Sequence, residues 1–184
     1  MGGVLLLEKT NTGLIIIDVQ GKLARLVRES EQLIENIITL IKSAQILEMP
    51  IIWVEQYPKG LGPTVEEIQN QLKDQLAIEK MTFSAYKNKD FKEVIHDTEC
   101  DAFLLTGIES HVCVYQTGAD LVANNFEIEI VEDAVSSRTE ENKKIGIKKL
   151  NSLGVKSTTV EMSLFELMKT AEYDHFKDIS KLIK

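Results

Sequence analysis

The sequence predicts an α/β protein: a three-layer α/β/α sandwich built on a six-stranded parallel sheet in the Rossmann-like order 3-2-1-4-5-6. Three observations lead there. Short apolar runs alternate with amphipathic stretches from end to end, the pattern of successive βα units. The first run, "GLIIID" at 13–18, is apolar without interruption, as in a parallel strand covered on both faces. The 184 residues carry no internal repeat, low-complexity segment or linker, so a single domain over 1–184 is expected.

Each element has its own justification. After the 13–18 strand, a helix is expected over 31–48, with Leu33, Ile37, Ile41 and Ala44 on one stripe, Ser30 as N-cap and Met49-Pro50 as terminator. "IIWV" (51–54) is the second strand. "YPKGLGPT" (57–64) holds two of the three prolines and two glycines, so it is a loop. A short helix near 65–72 and a short strand near 76–80 follow. Then come a helix over 90–98, the strand "AFLLTG" (102–107) and a helix over 112–124. "FEIEIVED" (126–133) is the fifth strand, and its alternation with Glu127 and Glu129 implies one partly uncovered face. A helix over 139–153 closed by Gly154 and the strand "KSTTV" (156–160) complete the set.

Composition narrows the function. With 43% hydrophobic and 27% charged residues the chain is ordinary globular material. A formal net charge of −8 speaks against a nucleic-acid partner, which would need clustered cations. Lys143, Lys144, Lys148 and Lys149 do cluster, but at helical spacing near Glu140 and Glu141, as on a solvated helix face. Two cysteines outside any CxxC or metal-ligand spacing make neither a disulfide framework nor a zinc site. "MGGVLLLEKT" lacks the basic start and length of a signal peptide, and no run approaches the ~18 apolar residues of a membrane span. A soluble cytoplasmic protein is expected.

Right-handed crossovers place the carboxyl ends of all strands on one edge, and ligands bind there where the strand order reverses. Three strand ends carry distinctive chemistry. Strand one ends in Asp18, strand three in Lys80, and strand four leads through Gly107 to Cys113 in the first turn of a helix. In the order 3-2-1-4-5-6, strands one and four are neighbours, so Asp18 and Cys113 can meet and Lys80 can reach in from the side. Each residue also has a plain reading: Asp18 as a helix cap, Lys80 as a surface partner of Glu79, Cys113 as a small packed residue.

The segments "LIIIDVQ", "EQYPKGLGPT", "EKMTFSAY", "GIESHVCVYQTGADL", "VEDAVSSR" and "TTVEMSLFEL" resemble, in order, the motifs of the isochorismatase-like cysteine hydrolase family. The resemblance implies the six-stranded parallel sheet and an Asp-Lys-Cys triad falling on Asp18, Lys80 and Cys113. It also implies a cis peptide before Glu109, with backbone N–H groups of Glu109 and Cys113 as an oxyanion hole. A helix N-terminus and a neighbouring lysine would lower the thiol pKa, and Asp18 would carry the proton. The implied reaction passes through a thioester that water hydrolyses.

Metal-binding relatives in this superfamily use an aspartate and two histidines beside the pocket. Here the loop after strand two has no histidine, so no metal and no other cofactor are expected, and His111 reads as a loop residue. Gln20, Trp53, Gln56, Tyr57, Phe83 and Glu109 are expected to wall the pocket for a small-molecule substrate, with cleavage expected at an amide C–N bond. The contrasting reading is a non-catalytic interaction or redox-sensing protein that keeps an activated thiol. Leu164, Phe165, Leu167 and Met168 exceed the needs of one short helix, so a homo-oligomer is expected.

Overall fold

A computed structural model describes residues 6–183. Six parallel strands form one sheet in the order β3-β2-β1-β4-β5-β6, as the sequence predicts. The strands are β1 (Thr12–Ile17), β2 (Ile51–Gln56), β3 (Ile78–Lys80), β4 (Ala102–Ile108), β5 (Glu127–Ser136) and β6 (Lys156–Thr158). Every β1 and β4 residue is buried, which is why both read as unbroken apolar runs.

Helices cover both faces. On one side lie α1 (Leu23–Leu26), α2 (Ser30–Ile46), α8 (Val160–Met168) and α9 (Phe176–Leu182). Their buried residues, among them Leu33, Ile37, Ile41, Leu164 and Ile179, meet Leu14, Ile16, Trp53 and Leu104 of the sheet. On the other side α5 (Lys89–Asp97), α6 (Tyr115–Ala123) and α7 (Glu140–Ser152) bring Phe91, Ile95, Leu121 and Leu150 onto Ile15, Ile17, Val54 and Leu105. Two further single turns, α3 (Pro58–Leu61) and α4 (Glu66–Gln69), lie in the connection between β2 and β3.

Several expectations need correction. Ser30 is inside α2 and caps nothing: its hydroxyl donates to the Ala24 carbonyl, and the N-cap position is Glu29 at φ 52°. The turn expected over 65–72 is helical only at Glu66–Gln69. β5 runs three residues past the expected 133, to Ser136, because Val135 and Ser136 pair with Gly107 and Ile108 of β4 beyond a register shift. Glu129 is buried, and desolvation raises its pKa; Glu127 is exposed. In α8, Leu164, Leu167 and Met168 are buried against the sheet and Phe165 alone of the four is exposed, so these residues fill the core and do not argue for self-association.

Candidate active site

Register brings the candidate residues together. Ile17 pairs with Val54 on one side and Gly107 on the other, and Gln56 pairs with Lys80. The ends of β1, β2, β3 and β4 therefore share one edge. At Gly107 (φ 107°) a Cβ would lie 2.1 Å from the Ile17 carbonyl oxygen, so only glycine lets β4 approach β1 just below Asp18. Asp18 itself has φ 52°, a conformation aspartate tolerates better than most residues.

Asp18 and Lys80 are buried together, each 2% exposed. The Lys80 Nζ donates to Asp18 Oδ2 at 2.7 Å, to Gln56 Oε1 at 2.8 Å and to the carbonyls of Thr82 and Phe83 at 3.3 Å. Lysine has three donors, so the two longer contacts share one. Asp18 Oδ1 is buried and has no hydrogen-bond partner among the described residues. Burial raises the Asp18 pKa, against the opposing pull of Lys80.

Cys113 stands in a π-helical turn, Ser110–Val114, that runs directly into α6. The turn is pinned from three directions. Ser110 Oγ donates to the Ser136 carbonyl at 2.9 Å, His111 Nδ1 lies 3.0 Å from Ser137 Oγ, and α7 packs on it through Gly146, where a Cβ would come 2.6 Å from the Ser110 carbonyl oxygen. Cys113 is 7% exposed, and its Sγ sits 3.9 Å from Gln56 Oε1.

The thiol is not acidified. Burial pushes its pKa up to about 12, and the Asp18 carboxylate adds to the rise while Lys80 opposes it. Lys80 pulls the other way, but its effect is smaller than that of burial or of the Asp18 carboxylate. Cys100, the other free cysteine, is also buried with its pKa raised by desolvation.

The expected pocket residues divide. Gln56 joins the cluster, its Nε2 donating to the Met81 carbonyl at 2.8 Å. Gln20 is fully buried and works as a brace: its Nε2 donates to the carbonyls of Gln56 (3.1 Å) and Gly62 (2.7 Å), and its Oε1 accepts from the Gln56 N–H (2.7 Å). Tyr57 is exposed beside a cavity of about 520 Å³ that Lys80 and Met81 also line. Phe83 touches the cluster only through its carbonyl, with its ring exposed. Trp53 is not in the site, for it packs in the core on the face opposite that of Cys113. It is three residues from Gln56, and strand alternation sends the two to opposite faces.

The peptide bond between Ile108 and Glu109 is cis. The Glu109 carboxylate is buried, with Oε2 accepting from the Arg138 backbone N–H at 3.0 Å and from Arg138 Nε at 3.2 Å. Nothing in the sequence singled out Arg138, although "VSSR" stands in one of the quoted motifs. Among the described residues no group of three or more His, Cys, Asp or Glu side chains could hold a metal ion.

The chain belongs to the isochorismatase family: the Isochorismatase domain matches residues 12–162, from the start of β1 into α8. It is similar to the secreted isochorismatase effector Isc1 of Phytophthora sojae, at 34% identity over 175 residues that cover 93% of this chain and 83% of that protein. It also resembles the MAR1 ribonuclease from Caenorhabditis elegans, at 33% identity and TM-score 0.89 over 97% of this chain and 92% of that one. The YcaC gene product from Escherichia coli, described as an octameric hydrolase of unknown specificity, shares the fold at 22% identity and TM-score 0.90, covering 100% and 97%.

Proposed function

We propose that the protein is a hydrolase in which Cys113 attacks a small carbonyl compound, an amide being the class that fits best, with Asp18 and Lys80 completing a triad. The observation that carries this reading is the convergence, in one buried cluster, of a thiol, an aspartate with one unpartnered oxygen and a lysine that holds the other.

Burial and the Asp18 carboxylate raise the thiol pKa, so in this reading the thiol enters the reaction protonated and loses its proton as it attacks. Asp18, its own pKa raised by burial, takes the thiol proton as sulfur attacks the carbonyl carbon. Backbone N–H groups of Glu109 and Cys113 receive the oxyanion of the tetrahedral intermediate. Asp18 then returns the proton to the departing nitrogen, which an amide requires because a free amide anion is a very poor leaving group. Water attacks the thioester with Asp18 as base, and the acid and the thiol are released. Lys80 holds Asp18 in place and keeps its carboxylate charged enough to act.

A high thiol pKa also disfavours a redox sensor, which needs a thiolate. RNA hydrolysis, the activity in the name of the C. elegans relative, would call for a cationic track for phosphates; this chain has net charge −8. We further propose a homo-oligomer, on the octameric description of the E. coli neighbour and on Leu26, Tyr57, Leu61, Met81 and Phe83, large apolar side chains left exposed in segments that follow β1, β2 and β3. Light scattering that gives a monomer mass at micromolar concentration would overturn the oligomer. A panel of small amides and a single-stranded RNA, followed by ammonia release and by gel, tests the reaction; cleavage of RNA without any amide turnover would overturn it.

A further inference from the structure

A second cavity lies across the sheet from Cys113. It holds about 540 Å³, and its walls include Trp53, Glu55, Leu72, Leu76, Lys73 and Glu79. Trp53 and Glu55 are two apart in β2 and so share a face, the one on which Trp53 and Leu72 join the α2 side of the core. Glu79 pairs with Glu55 in the parallel register of β2 and β3, which sets two carboxylates side by side at the edge of the sheet. Gln56 and Lys80, one position further along each strand, turn to the Cys113 side instead.

Glu55 is the unusual part of the wall, since only 7% of it is exposed. Its Oε1 accepts from the Thr64 backbone N–H at 2.6 Å. Its Oε2 has no hydrogen bond or ion pair among the described residues, and it is not one of the unpartnered oxygens sealed from solvent. Because Glu55 lines the cavity, that open oxygen faces it. Thr64 needs a single acceptor there, which a glutamine amide would supply without placing a charge in a buried position. The charge therefore asks for a cation. Lys73 does not fill that part, for it forms no ion pair with Glu55 or Glu79, and Glu79 has no other partner for its carboxylate among the described residues.

The remaining wall selects the kind of cation. Indole and two leucines offer nothing to a metal ion, and among the described residues no third acid, histidine or cysteine joins the pair. An alkylammonium ion has N–H donors for the carboxylates and carbon for the indole and the leucines. We infer that this cavity is a second ligand site, separate from Cys113, that binds a primary alkylammonium ion with its nitrogen at Glu55 and Glu79 and its chain against Trp53, Leu72 and Leu76. The inference does not depend on the reaction proposed at Cys113.

Trp53 is the one tryptophan of the chain, so its emission reports on this cavity directly. Fluorescence is followed while n-butylammonium chloride, 1-butanol or magnesium chloride is added at constant ionic strength to wild type, Glu55→Gln and Glu79→Gln. Butylammonium should give a saturable change in wild type, and 1-butanol and magnesium should not. Glu55→Gln keeps an acceptor for the Thr64 N–H, and it should raise the half-saturating concentration about tenfold, the order expected for loss of one charge-assisted hydrogen bond. Glu79→Gln, at an exposed position, should weaken binding in the same direction and decides the matter if the Glu55 variant does not fold. No saturable change with butylammonium overturns the inference, as does an equal response to 1-butanol or saturation by magnesium alone. Half-saturation unchanged in the folded variants overturns it as well.

Discussion

Asp18 and Lys80, 62 residues apart in the chain, meet at 2.7 Å with their side chains 3% and 0% exposed. A pair so deeply buried is weak evidence for stability, because removing two charges from water costs about what their attraction returns. It is better explained by what it leaves over. One carboxylate oxygen is held by the lysine, and the other is buried without a partner among the described residues, while the carboxylate raises the pKa of the Cys113 thiol.

Removing the lysine should therefore be costly in two ways. Lys80→Met strands a buried carboxylate, and the folded state should lose ~3–5 kcal/mol in urea unfolding. Because Lys80 lowers the thiol pKa, the pH at which Cys113 reacts with iodoacetamide should move upward. A variant with unchanged stability and an unchanged alkylation profile would contradict the buried pair.

The thiol itself should make stability depend on alkaline pH. Its folded pKa is raised to about 12 from an ordinary value of 9.0, chiefly by burial. A group raised on folding stabilises fully below its unfolded pKa, and that contribution is lost as pH climbs through the folded one. Wild type should lose stability relative to Cys113→Ala between pH 9 and about 12, by up to a few kcal/mol at about 1.4 per unit. Parallel stability curves for the two proteins over that range would show that the thiol is not shifted.

Gln20 should behave as a brace. Gln20→Leu leaves the Gln56 N–H and the Gly62 carbonyl without the partners that now fix them, at ~1–3 kcal/mol for each group left unsatisfied. Hydrogen exchange should quicken over residues 56–62 and turnover should fall with Gln56 loosened. Unaltered exchange there would assign Gln20 a different part.

Gly146→Ala should disturb the thiol from a distance. The added Cβ, 2.6 Å from the Ser110 carbonyl oxygen, forces α7 away from the turn that carries Cys113, costing ~1–3 kcal/mol. Activity should drop more than stability alone explains at a temperature where the variant is fully folded. Wild-type activity in that variant would show that the turn does not depend on α7.

Much of this was legible in the chain. The alternation of apolar runs with amphipathic stretches predicts the parallel sheet with helices on both faces, and Asp18, Lys80 and Cys113 stand at or just beyond the ends of β1, β3 and β4, which the fold puts on one edge. The face of Trp53 could also have been read, since its offset of three from Gln56 opposes them. Other features lay outside the pattern. The thiol pKa depends on how completely neighbours exclude water from Cys113, which a one-dimensional sequence does not encode. The Gln20 brace and the Glu109–Arg138 contact join residues 36 and 29 positions apart, and a lone glutamine or arginine in a loop gives no periodic signal. The apolar residues of α8 misled because the helix lies on a face of the sheet and buries Leu164, Leu167 and Met168 there.

The central claim is covalent chemistry at Cys113 with Asp18 as its proton carrier. One comparison tests it most directly: ammonia release from a panel of small amides by wild type, Cys113→Ala and Asp18→Asn side by side. Wild type should turn over at least one compound, Asp18→Asn should lose ~10²–10⁴ in rate, and Cys113→Ala should show no turnover above background. Substantial turnover by Cys113→Ala, with Asp18→Asn inactive, would mean that water and not sulfur is the nucleophile.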